Sequence, residues 1–512
     1  MKKVFLGLGL FIVLNVSTAY LFLFTKFGNA LVASFIEKKV NEKGIVNFKL
    51  EELELTFDTL KMKATIDSAS IVQISGAFSI FTWEFNLEYL VDITNLGALE
   101  KFINQKLNGT FQTNGVVKGK KELMQIHGVA NNFGSTSQYS IILNDLKPTT
   151  IDFKAKSVDL EKVLYTLNQP SYAKGNIDIQ GNITSLDLDR LSGKVVTTIT
   201  KGELNSKVFN EQFDLKLSNN KKFSGQIDTL LQPMLLESTV DLKTSVANII
   251  AKSAKINLED NSIDSDYEMV VSNLNNLYDF TQMKLLGNLK LNGMIKKGKD
   301  LELTGTSNSF NGVVDFKLFN DDFNMKMNDV KISEAAKMFY YPSFFDSTAN
   351  AILDYNLASK QGALNATLSN GKFAKSEFTS LLNTLARFDI TKEIYQSIDL
   401  KSQINDKVIQ SVVKTQSENT TIDVPSSMVD LEKNITDTTL NLKIKKYEVK
   451  SLITGDIANP IIKIDASKIL ENKVKEKIEK KINKVIEKKT QAKAPEDDDD
   501  MSKLIKKLKA VY

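Results

Sequence analysis

The chain has 512 residues, and 66 Lys+Arg against 62 Asp+Glu leave a formal net charge of +4. So small an excess over this length excludes the basic stripe of a nucleic-acid binder, and no nucleic acid is expected as a partner. The absence of cysteine excludes disulfides, thiolate metal centres and cysteine nucleophiles, and the single histidine, His127, excludes any mechanism that needs two imidazoles.

From Val4 to Phe24 the chain carries no charge for 21 residues, between Lys2-Lys3 and Lys26. At about 1.5 Å per residue this run matches the roughly 30 Å of a bilayer core, which predicts a membrane anchor over 1–26. A cleaved signal peptide is the competing reading, with Val4–Val16 as its apolar region and Ser17–Ala19 as its cut. Tyr20–Phe24 extends the apolar run past that cut. The lysine pair favours an N-terminus on the cytoplasmic side, with the bulk of the chain across the membrane. Ala30, Leu31, Val32, Phe35, Ile36 and Val40 then recur at helical spacing, predicting a juxtamembrane helix within 27–45.

From Val46 to about Asp465 the period is two. Val46, Phe48 and Leu50 alternate with polar residues, and so do Leu53, Leu55 and Phe57. Phe323, Met325 and Met327 do the same, as do Leu440, Leu442 and Ile444. This pattern predicts strands with one apolar and one polar face, roughly 35 of them at about ten residues per strand and turn. Within 46–360 the strands repeat. Gly109 and Gly115 bound a short strand, as do Gly175 and Gly181, and Gly287 and Gly293; a further glycine follows each pair, at Gly128, Gly193 and Gly305. A helix-like patch precedes each copy: Leu96, Leu99, Phe102 and Ile103; Leu160, Val163, Leu164 and Leu167; Leu274, Leu277 and Phe280. A degenerate fourth copy runs from Ile332 to Leu353. The expected unit is a short helix, a glycine-bounded strand, a turn and a second strand, with glycine permitting the bends of a curved sheet.

Phe378, Leu381, Leu382, Leu385 and Phe388 predict an amphipathic helix before the last strands. Leu470, Val474, Ile478, Ile482, Val485 and Ile486 predict a charged amphipathic tail over 466–512, interrupted by the acidic linker Glu496–Asp500. No catalytic centre, cofactor or metal is expected: His127 lacks a nucleophile elbow, and the Glu496–Asp500 run reads as a solvated linker. Trp83, with Phe78, Phe81 and Phe85 nearby, reads as core or groove packing. The candidate lining of an apolar groove is Phe111, Ile177, Ile179, Leu289, Leu291, Phe323, Met325 and Met327; a closed β-sandwich or solenoid core is the alternative use of the same residues.

An apolar N-terminal run followed by repeated curved strands resembles the AsmA-like family of β-groove proteins. The resemblance is closest over 361–465. There Gly362–Leu368, Asn370-Gly371, the Phe378–Phe388 helix, Ser397–Ser402, Thr421–Val424 and Gly455–Pro460 follow that family's closing module. Ser417–Thr420 stands where the family often has a glycine-rich turn, which leaves the register there open. The resemblance implies a mainly β protein with a long curved antiparallel groove. It also implies a single-pass anchor in the bacterial inner membrane, a periplasmic bulk, and binding or conduction of phospholipid or another acyl lipid. An envelope scaffold with a protein partner at the C-terminal tail is the alternative role.

Overall fold

The computed structural model describes residues 25–42, 47–67, 69–100, 105–213, 215–341, 343–445, 447–465, 467 and 477–484. Val4, Phe24, Val46, Phe102, Ile103, Leu470, Val474 and the acidic linker lie outside them. Among the described residues no helix is long and apolar enough to cross a membrane. The described chain is mainly β, with 26 strands rather than 35, because strands run to 13 residues and helical connections take up further chain. It divides into two compact units. The first runs through Phe323 and includes Met338–Tyr340; the second holds Asn324–Lys337 and the chain from Tyr341 onward.

In the first unit, helix α1 (Lys26–Asn41) precedes β1 (Phe48–Leu55), β2 (Thr59–Ile66), β3 (Ser70–Ser79) and β4 (Glu84–Ile93). Then come β5 (Phe111–Lys120), β6 (Leu123–Asn132), β7 (Ser135–Asn144) and β8 (Lys147–Asp159). Helix α2 (Leu160–Thr166) leads into β9 (Ala173–Ser185) and β10 (Ser192–Leu204), and α3 (Ser206–Phe213) into β11 (Lys222–Gln232) and β12 (Leu235–Thr244). After β13 (Asn248–Asn257) and β14 (Ile263–Val271), α4 (Tyr278–Thr281) precedes β15 (Leu289–Lys297), β16 (Leu301–Ser307) and β17 (Val313–Phe319). Each strand from β1 to β17 pairs antiparallel with the next, an open meander. The division between the units falls within β18 (Asp322–Lys331), and α5 (Ile332–Met338) follows it.

In antiparallel pairs, directly opposed residues share a face, so the registers trace rows across the sheet. One row runs Leu87, Val117, Ile126, Ile141, Ile151, Ile183 from β4 to β9, then Gly193, Leu231, Leu236 and Ile256 to β13. The alternate positions carry Glu88, His127, Asp152 and Lys194. The period-two pattern therefore resolves into one apolar and one polar face. Leu50 and Leu53 look out of phase, but a bulge between Leu50 and Glu52 returns both to the apolar face, opposite Ala64 and Met62. Phe57 lies beyond β1, in the turn to β2.

Helix α1 closes the outer edge of β1. The Asn29 side chain donates to the Leu55 carbonyl at 3.3 Å and accepts from its N–H at 3.1 Å. The Asn41 amide does the same for Phe48 at 2.7 and 2.8 Å, and Glu37 accepts from the Leu50 N–H at 2.8 Å. Side chains thus occupy edge groups that would otherwise invite another strand.

The second unit is built differently. Strands β19 (Phe345–Asn356) and β20 (Gln361–Phe373) precede α6 (Glu377–Ala386), which opens on a capping box between Ser376 and Thr379. Then follow β21 (Tyr395–Asn405), β22 (Val408–Gln416), β23 (Thr420–Asp430), β24 (Ile435–Ile444), β25 (Tyr447–Asp456) and β26 (Ile461–Asp465), each antiparallel to its neighbour. Leu382 on α6 is fully buried against Ile390, Tyr395, Ile398, Ile422, Leu442, Ile444 and Val449, so here the apolar face is covered and forms a closed core. Residues 477–484 are helical.

Candidate functional site

The candidate site is the apolar face of the first unit, and its surface is set by how aromatic residues meet glycines. Tyr89 on β4 stands opposite Gly115 on β5, Gly115 opposite Gly128 on β6, and Gly128 opposite Tyr139 on β7. The same order recurs as Tyr267, Gly293, Gly305 and Phe316 from β14 to β17. A Cβ on Gly128 would lie 2.2 Å from the Tyr89 hydroxyl and 2.5 Å from the Tyr139 ring, and one on Gly305 would lie 2.4 Å from Phe316. The rings therefore lie over the glycines, and any side chain there would lift them off the sheet. Tyr89 and Tyr139 join hydroxyl to hydroxyl at 2.6 Å; Thr113 meets Tyr139 at 2.6 Å and donates to the Val129 carbonyl at 3.0 Å. Burial, followed by the bond to Tyr139, pushes the Tyr89 hydroxyl well above the ordinary tyrosine range, so it stays neutral.

The glycine repeat of the sequence is thus two matched copies and one divergent copy. Gly109 and Gly287 both adopt left-handed φ, +94° and +104°. Their carbonyls accept from Leu96 and Leu274 at 2.9 Å, the first residues of short 3₁₀ turns capped by Asn95 and Asn273. In the divergent copy Gly175 lies at a register shift between β9 and β10, Gly181 stands between Phe153 and Val195, and Gly193 pairs with Ile183. The β9–β10 register therefore leaves the two glycines two residues out of line.

Of the lining candidates, Phe111, Ile177 and Ile179 come together around one cavity of about 440 Å³, with Tyr139, Phe153 and Val163 of α2. Small-molecule pockets run to about 300–1,000 Å³, so the space suits part of a flexible apolar ligand. Leu289 packs on a small cluster of Ala247, Val271, Leu274 and Leu285. Leu291 stands opposite Met269, and Phe323 packs against Phe316 with ring centroids 6.0 Å apart. Met325 and Met327 belong to the second unit, where Met327 lines a separate cavity of about 340 Å³ with Ala351 and Leu400. All eight are half-buried. Phe133 and the two tyrosines escaped the sequence reading, which has Val163 only as part of a helix-like patch; the tyrosines sit in regular alternation, and only the register places them over glycines.

The polar face carries a wider depression of about 800 Å³, lined by His127, Asp152, Lys154 and Lys194 among others. His127 is an exposed mid-strand residue between Val116 and Ser140. Among the described residues no group of acidic or histidine side chains is arranged to hold a metal ion. Searches of family models, curated proteins and solved structures return no match to this chain.

Proposed function

We propose that the chain is an AsmA-like protein anchored in the bacterial inner membrane by Val4–Phe24, and that the apolar face of its first unit binds or conducts acyl lipid, phospholipid foremost. One observation carries the reading: an apolar face continuous over many strands whose large residues are half-buried, where the second unit covers its equivalent with α6. A lipid tail in water exposes CH₂ groups at about 0.8 kcal/mol each, so some 30 of them cost about 24 kcal/mol. An apolar surface running from strand to strand removes most of that cost and needs no reacting group. The tyrosine and phenylalanine rings lying over glycines add apolar surface at positions where no other side chain rises from the sheet. The test is a photo-crosslinking residue at Ile179, inside the cavity under α2, in cells. Phospholipid adducts support the proposal; adducts to protein alone overturn it.

A further inference from the structure

The corner of the first unit where the chain enters the fold presents large aromatic residues to solvent. Phe27 on α1, Phe57 in the β1–β2 turn, and Phe81 and Trp83 in the β3–β4 turn are 69, 41, 75 and 49 % exposed. They are organised nonetheless. Phe57 stacks on Phe81 with centroids 5.8 Å apart, Trp83 meets Phe78 edge-on at 6.3 Å, and Lys121 lies 5.8 Å from the indole centroid. Trp83 holds a left-handed φ of +50°, which a bulky L residue keeps only where its surroundings impose it. The double hydrogen bond from Asn29 to Leu55 pins the start of α1 to the end of β1, beside Phe57.

Something apolar must cover this corner, and the chain itself indicates what. The uncharged run ends at Phe24, Thr25 caps α1, and Phe27 follows three residues after that run in the sequence. Lys26 and Lys121 supply the cations that lipid phosphates take. Of the acids in these turns, Asp58 is engaged by the Thr56 hydroxyl at 3.0 Å and Glu84 stands opposite Lys120. Aromatic rings beside basic residues are the side chains that settle at the headgroup boundary of a bilayer. We propose that Phe27, Phe57, Phe81 and Trp83 insert into the headgroup region of the bilayer that holds Val4–Phe24. This sets the β1–β4 margin of the apolar face against the lipid, where an acyl chain passes directly from bilayer to groove. The inference rests on the anchoring and groove-binding proposed above and adds the place of entry.

Trp83 is the only tryptophan, so the full chain carries its own reporter. The experiment reconstitutes it in vesicles of phospholipid brominated at shallow acyl carbons, or of the unbrominated parent. Bromine should lower Trp83 emission by roughly twofold or more, and acrylamide should quench it poorly. Equal emission in both lipids, with full access to acrylamide, overturns the proposal. So does equal quenching of W83F/F319W, which moves the indole to exposed Phe319 at the end of β17. F27E/F81E alters only exposed residues and should release Trp83 from bromine quenching. Lipid capture at Ile179, read on the same samples, separates the two proposals. Quenching without capture sinks the groove reading alone, and capture without quenching sinks the corner alone.

Discussion

Tyr89 and Tyr139 reach toward each other over the two strands between them and meet hydroxyl to hydroxyl at 2.6 Å, directly above Gly115 and Gly128. The contact exists because neither glycine has a side chain to hold the rings apart. It ties four strands together from the apolar side.

Gly128→Val therefore forces both rings off the sheet. It should cost about 1–3 kcal/mol as an overpacked site and should reduce lipid capture at Ile179. Gly298→Ala is the control, since a Cβ there meets nothing nearer than Ser262 at 3.9 Å. Thermal unfolding and crosslinking of both variants check the point; equal effects would refute the ring-over-glycine account.

The two units should respond differently to the same truncation. Leu382→Ala empties a fully buried site under α6 and should cost about 2–5 kcal/mol. Ile179→Ala removes a half-buried side chain from the open cavity under α2 and should cost less, about 1–2 kcal/mol. Hydrogen exchange resolved by segment measures both, with the first loss confined to residues from Tyr341 onward.

Ser417–Thr420, where the sequence left the register open, is held by Glu393. Its carboxylate accepts from the Ser417 hydroxyl and from the Asn419 N–H and side-chain amide, the latter two at 3.2 Å. Burial opposes ionisation of Glu393, but these bonds outweigh it and hold the carboxyl below its ordinary value of 4.5. A group lowered in the fold stabilises above its unfolded pKa and loses that contribution as pH falls through the folded one. The second unit should thus weaken below about pH 4, and Glu393→Gln should flatten that dependence. Urea midpoints against pH measure it; an unchanged profile in the variant argues against Glu393 as the acid-sensitive group.

The neighbouring Tyr395 gives the opposite limb. It is fully buried, shares a 2.7 Å hydrogen bond with the Thr420 hydroxyl, and burial pushes its pKa up to about 12. An acid raised in the fold favours the neutral form, so stability is complete below about pH 10 and lost as pH rises toward 12. Tyr395→Phe should remove this alkaline loss, read as the urea midpoint at high pH, while leaving the Thr420 hydroxyl short of one partner.

Asn29→Ala leaves the Leu55 N–H and carbonyl without their partners on a strand edge. The expected cost is about 1–3 kcal/mol, with faster self-association because the edge of β1 becomes available for pairing. Light scattering of the variant against the parent decides it.

Read from the sequence alone, the period of two, the paucity of long helical patterns and the recurring glycines were enough to specify a mainly β chain with one apolar and one polar face. Alternation is a local property: side chains point to opposite sides of every strand whatever the strand pairs with. Register is not local. Gly305 meets Gly293, whereas Gly193 faces Ile183, two residues from Gly181, because the β9–β10 register runs two places out from that alignment. Both pairs stand 12 residues apart, so the spacing of the glycines does not distinguish the two cases. Nor did alternation indicate which stretch would be covered. Ile179 and Ile398 sit in similar strands, yet α6 folds over the second to complete a closed core, whereas α2 leaves the first lining a cavity of about 440 Å³. The amino-acid sequence determined that an apolar face would exist; only the tertiary structure, through strand register and the placing of one helix, decided where that face is buried as core and where it lies open.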